Sequence, residues 1–106
     1  VPYSKVNYRD VEPKADGMHF LRDALDADNL GVTVLDCEAG WSGMEHDHGE
    51  EDHEEIYLLV HGAATVTVDG VDVSLEPGDA VRIPPDATRQ INVGDEDSTL
   101  VLAGAP

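Results

Sequence analysis

The sequence predicts an all-β fold, a barrel or sandwich of short strands preceded by an N-terminal arm. Three observations lead there. Apolar residues, mostly Val and Leu, alternate with polar ones in short runs, the period-two pattern of strands with one buried face. Clusters of Gly, Pro, Asp and Asn interrupt these runs at intervals of roughly 8–12 residues. The stretch ATVTVDGVDVSL sets alternating valines on both sides of Asp69-Gly70, a dipeptide suited to the positive φ angles of a two-residue type I′ hairpin. A chain of 106 residues is expected to form one domain around one modest core.

Each element follows in order. Residues 1–17 form the arm. It carries Lys5, Arg9 and Lys14 against Asp10, Glu12 and Asp16, so it is neutral. Val1, Tyr3, Val6, Tyr8 and Val11 give it apolar area to dock on its own barrel or on a neighbour. The barrel domain is expected over 18–106. MHFLRDAL (18–25) suits either a strand or a short helix, and DADN then turns the chain. Leu30 to Glu38 alternates and reads as a strand, broken by Gly40 to Gly43. Ile56 to Val60 is a short apolar run, the pattern of a strand buried on both faces or nearly so. After the hairpin, Glu76-Pro77-Gly78-Asp79 turns into the strand AVRI (80–83), which Pro84-Pro85-Asp86 stops. Thr88 to Val93 and Thr99 to Ala103 are the last strands, joined by a turn over Gly94 to Asp97. No internal repeat or linker is visible.

Charge excludes some partners. Six Lys and Arg face 23 Asp and Glu, a formal charge of −17. Nucleic acid and anionic membrane surfaces are poor partners, because both are gripped by Lys and Arg. A small domain this acidic repels itself at low salt. At about 1 M salt the Debye length shrinks to roughly 3 Å and that repulsion is screened. Only Lys5 and Lys14 are lysines. The composition therefore suggests adaptation to molar salt, in the cytoplasm of a halophile. No secretory signal and no stretch approaching the ~20 apolar residues of a membrane span are evident. Cys37 is alone and sits in an apolar run, where a buried, inert thiol is expected.

The chemistry concentrates in residues 45–55, EHDHGEEDHEE, which hold seven carboxylates, three histidines and one glycine. On a strand, residues two apart point the same way, so His46 and His48 would present two imidazoles side by side. Glu55, Tyr57 and Leu59 share one face of the next strand. With that face turned inward, Glu55 meets the two histidines at the barrel mouth. Two neutral imidazoles and one carboxylate with open positions suit Fe(II), Mn(II), Ni(II), Zn(II) or Cu(II). By itself, an H-x-H in so acidic a chain is weak evidence, and the other acids of the segment read as solvation.

The frame around these residues resembles the cupin superfamily, in particular its small single-domain conserved-barrel members. That family's first motif is Gly, five residues, H-x-H, three or four residues, Glu, six residues and Gly. Gly40, His46, His48, Glu55 and Gly62 match it, with a loop two or three residues longer between His48 and Glu55. In the second motif Gly78 and Pro84 fit, Asp86 replaces a glycine, Arg89 stands where a histidine belongs, and Asn92 follows one residue early. The resemblance covers about residues 30–103. It implies a double-stranded β-helix (jelly-roll) barrel, often a homodimer, with a metal held by three histidines and a glutamate.

Arg89 is the departure that matters. A guanidinium is a donor only and cannot ligate a metal. Three arrangements follow. His46, His48 and Glu55 hold a divalent ion, with water in the fourth place. His53, from the lengthened loop, replaces the missing ligand. Or the site is metal-free, with Arg89 paired to Glu55 or to an anionic ligand through its planar fork. The first two imply a metalloenzyme of cupin type (dioxygenase, isomerase or lyase) acting on a small oxygenated molecule. The third implies a binding or sensor module for a small anion. Tyr57 and Arg89 are the candidate catalytic groups, and Trp41 is a candidate wall of the pocket mouth. Gln90 and Asn92 read as structural, and His61 and His19 as surface or arm residues. No nucleophile–base pair, phosphate-binding loop or Cys-x-x-Cys motif is present.

Overall fold

The computed structural model describes residues 1–47, 49 and 52–106. Among them are eight strands: β1 (Met18–Phe20), β2 (Gly31–Cys37), β3 (Glu54–His61), β4 (Ala64–Val68), β5 (Val71–Leu75), β6 (Ala80–Ile83), β7 (Arg89–Val93) and β8 (Ser98–Ala105). A single helical turn, α1 (Arg22–Leu25), follows β1, and a 3-10 turn (Tyr8–Asp10) interrupts the arm. The all-β expectation holds. None of the described helices is long and apolar enough to cross a membrane.

The strands form two antiparallel sheets, ordered β1-β2-β8-β3-β6 and β5-β4-β7. Side chains alternate across each strand, and the inward sets meet in one core. Leu35, Tyr57, Leu59, Ile83 and Leu100 come from the larger sheet, and Val66, Ile91 and Val93 from the smaller. The hairpin forms as expected: Asp69 and Gly70 have φ of 47° and 78°. Asp69 also ties this turn to the start of β7, accepting the Thr88 amide at 2.8 Å. Gly62 closes the turn after β3, with φ +91° and a missing Cβ that would lie 2.2 Å from Ser98 Oγ. Any side chain there would displace the start of β8.

Two sequence expectations are revised. Residues 18–25 are neither one strand nor one helix: β1 takes the first three and α1 four of the last five. Central pairing did not give β3 two buried faces. Tyr57 and Leu59 are buried, whereas Ile56 is 47% and Val60 52% exposed. Among the described residues nothing fully covers the outer face of the larger sheet at these positions, and periodicity alone cannot reveal that.

The arm lies against β1 and β2. Tyr8 donates to Asp36 Oδ2 at 3.1 Å, and its ring meets His19 edge-on at 5.1 Å. His19 Nδ1 sits 2.7 Å from the Val11 carbonyl oxygen. Ser4 donates to the Leu25 carbonyl at 2.7 Å, while Val1 and Tyr3 stay exposed.

Candidate functional site

The site begins with the pleat of β3. Glu55 points inward with Tyr57 and Leu59, opposite Ile83 on β6 and Gly104 on β8. Gly104 leaves the room Glu55 needs: a Cβ there would come within 3.1 Å of Glu55 Cγ. Glu55 therefore lies between strands at one end of the barrel and lines a cavity of about 510 Å³.

Arg89 opens β7. It faces Val68 of β4 on one side and His46 on the other. His46 and Arg89 exchange both backbone hydrogen bonds, at 3.0 and 2.8 Å. Residues directly opposite in an antiparallel pair send their side chains to the same face. That pairing puts His46 on the inner side, beside Arg89, yet its side chain is exposed at the barrel rim. His46 Nδ1 lies 3.0 Å from the Met44 carbonyl oxygen. A carbonyl only accepts, so in the neutral ring Nδ1 carries the proton and Nε2 the lone pair.

The Arg89 side chain is fully buried. Nη1 donates to Glu55 Oε1 at 2.8 Å and Nη2 to the Pro84 carbonyl at 2.6 Å. Its Nε is buried with no hydrogen-bond partner among the described residues. Tyr57 donates to the same Oε1 at 3.2 Å. Burial first, and then the charge of Glu55, hold the Tyr57 hydroxyl far above the ordinary tyrosine range, with Arg89 opposing. Tyr57 is thus a neutral donor at any ordinary pH. Among the described residues, the Arg89 guanidinium and the Tyr57 hydroxyl both hold the Glu55 carboxylate, with Arg89 matching its charge inside the barrel.

The other predicted residues fall in three places. His53 is half-buried and lines the same cavity as Glu55. His48 lies outside the described residues. Trp41 packs against the core and borders a different cavity of about 700 Å³, with His19, Asp36 and Glu38. The wall expected of it belongs to that second cavity. Gln90 Nε2 donates to the Gly43 carbonyl at 2.9 Å and Ser42 donates to Asn92 Oδ1 at 2.7 Å. Both bonds fasten the segment leading to His46 onto β7. His61 is exposed at the end of β3.

Beyond Glu55 and His53 the cavity lining was not foreseen, Lys14, Arg22, Asp23 and Thr33 among it. Nothing near them resembles a motif. Their one signal is scarcity, since Lys14 and Arg22 are two of six basic residues in the whole chain.

The donor set can be tested against a metal. At the place where the resemblance implies a fourth ligand, Arg89 presents a cation 2.8 Å from the glutamate that would bind the ion. No three of the described His, Cys, Asp and Glu residues converge as ligands. Among the described residues, the place of that fourth ligand is taken by a guanidinium paired to Glu55.

Comparison with known proteins agrees with this architecture. The family model for the cupin domain matches residues 33–104. A cupin protein from Bacteroides fragilis is 29% identical, with 95% of this chain and 86% of that one aligned and a TM-score of 0.78. A sugar phosphate isomerase of the cupin superfamily from Silicibacter pomeroyi is 21% identical over 96% of this chain and 75% of its own (TM-score 0.78). Oxalate decarboxylase of Bacillus subtilis, a protein with Mn(II) centres, is 19% identical over 99% of this chain but only 30% of its own (TM-score 0.79). At such identities the last two speak to the fold alone. No curated protein matches the chain in sequence. Two antiparallel sheets closing on one core, Glu55 at the barrel end, and a family match over most of the chain make this protein a member of the cupin family.

Proposed function

We propose that this cupin binds a small oxygenated molecule in the cavity beside Glu55, without needing a metal. The observation that carries the reading is the Glu55–Arg89 pair at 2.8 Å. Arg89 satisfies the charge that a divalent ion would otherwise satisfy. Its full burial also changes its part in the anion reading. A ligand meets Glu55, and Arg89 acts through Glu55 without touching the ligand. Glu55 accepts a hydrogen bond from a ligand hydroxyl, while Tyr57 and Arg89 hold its carboxylate in one orientation. A cavity of about 510 Å³ falls in the size range of small-molecule sites.

A second reading keeps the ion. His46 shares the inner face with Arg89 through their backbone pairing, so His46, His48 and Glu55, with His53 in reserve, are the residues that would hold Fe, Mn, Ni, Zn or Cu. The metal would act as a Lewis acid on an oxygenated substrate.

The charge of −17 supports an origin in a high-salt cytoplasm. Exposed Ile56 and Val60, with the apolar arm, support a homodimer formed across the larger sheet.

The test is a thermal-shift screen of chelator-treated protein against polyols, sugars and hydroxy acids, beside Glu55→Gln. Binding by the treated protein that weakens about tenfold or more in the variant supports the proposal. Binding that appears only after a divalent ion is restored contradicts it and favours the second reading.

A further inference from the structure

The cavity beside Glu55 holds more positive charge than so acidic a chain would place there by chance. Lys14 and Arg22 line it, together with Asp23, His53 and Glu55. Among the described residues that line it, two cations meet two carboxylates, and Arg89 adds a third cation behind Glu55, in a protein whose formal charge is −17.

Arg22 is held in an unusual way. It begins α1, and its guanidinium lies flat over β2 at Gly31. A Cβ at Gly31 would stand 3.0 Å from Arg22 Nη2, 3.4 Å from Cζ and 3.5 Å from Nε. Only glycine lets the group lie there without displacement. Nη2 donates to the Asn29 carbonyl at 3.2 Å, which fixes the plane. Nε is buried and has no hydrogen-bond partner among the described residues. A donor covered in this way is closed to a ligand, so an anion would meet the part of Arg22 that borders the cavity.

We infer that Arg22, held over Gly31 and supported by Lys14, is a carboxylate-recognition subsite, and that the cavity takes a small hydroxy acid with its carboxylate at Arg22 and a hydroxyl at Glu55. This deepens the proposed binding function and rests on it. The two ends differ in sign. Arg22 offers donors to an anion, whereas Glu55 is an acceptor and selects a neutral hydroxyl. A simple polyol satisfies Glu55 alone, and a simple carboxylate satisfies Arg22 alone. A planar fork also suits a carboxylate geometrically.

The experiment is a set of NMR titrations on the full chain with matched probes: glycerol against glycerate, glucitol against gluconate, then acetate and inorganic phosphate. Each probe is added to the wild type, Arg22→Gln and Arg22→Lys. Unchanged amide spectra outside the cavity serve as the check that the variants fold. The expected result is that glycerate and gluconate bind about tenfold or more tighter than their polyols. Arg22→Gln erases that preference, and Arg22→Lys restores part of it. An acid preference that survives Arg22→Gln overturns the subsite while leaving binding in the cavity intact. So does equal binding of acid and polyol to the wild type. Inorganic phosphate binding as tightly as gluconate overturns the carboxylate assignment. If no probe of either kind binds, the subsite and the proposed function both fall.

Discussion

Two cavities formed by the described residues differ in almost everything that matters for a ligand. One is lined by Lys14, Arg22, Asp23, His53 and a Glu55 whose charge Arg89 matches from behind. The other is lined by Asp16, Asp36, Glu38, His19 and Trp41, with no Lys or Arg. The second resembles the rest of the surface, where exposed carboxylates face water and salt screens them. The first does not. Buried or half-buried charges there have specific partners, and a basic side chain is held over a glycine. A uniform acidic coat explains the second cavity and fails to explain the first.

The largest expected effect breaks the first cavity at its base. Arg89→Met should leave Glu55 inside the barrel without its cation, a situation that costs about 3 kcal/mol or more. Urea denaturation should show a lower midpoint with an unchanged slope. Adding Glu55→Gln to that variant should recover part of the loss, because the stranded charge is then gone. Tyr57→Phe removes one neutral donor from the same carboxylate oxygen and should cost about 1–2 kcal/mol by the same measurement.

A pH series sharpens the picture of the interior. Burial, with help from Asp36 and Asp97, pushes the Cys37 thiol up to about 11 from its ordinary 9.0. The folded state thus holds this proton more tightly than the unfolded state. The associated stability is complete below about pH 9 and is lost as pH climbs toward 11. Tyr57, also raised, adds to the loss above its ordinary 10.0. Urea midpoints should therefore fall steeply above pH 9, and Cys37→Ala should flatten the first part of that fall.

The smallest effect belongs to the second cavity. Asp36 accepts from Tyr8 and Thr99 at the exposed surface, so Asp36→Asn should change stability by no more than about 0.5 kcal/mol in either direction. A loss as large as that from Arg89→Met would erase the contrast between the cavities.

Much of the fold was legible in the sequence because it is written locally. Asp69-Gly70 specifies a hairpin within two residues, and valine alternation specifies which side of β4 and β5 faces in. What covers the far side of a strand is not local, which is why Ile56 and Val60 were expected inside. The site divides in the same way. Glu55 and Arg89 stand at positions that the motif frame marks, 34 residues apart, and the structure adds the bond between them. Lys14 and Arg22 could not be read ahead. They reach the cavity only because β1 pairs with β2 and α1 folds back over Gly31. No spacing rule connects either residue to Glu55. His48 remains outside the described residues, so its expected role rests on the motif.

The central claim is that Arg89 does for Glu55 what a metal ion does in a cupin that binds one. Elemental analysis of untagged protein, purified in high salt without chelator, tests it most directly, with the His46→Ala/His48→Ala double variant beside it. The account predicts no stoichiometric ion, even after incubation with Fe(II), Mn(II), Ni(II), Zn(II) or Cu(II). About one ion per chain in the wild type, absent from the double variant, would contradict it and establish these histidines as ligands.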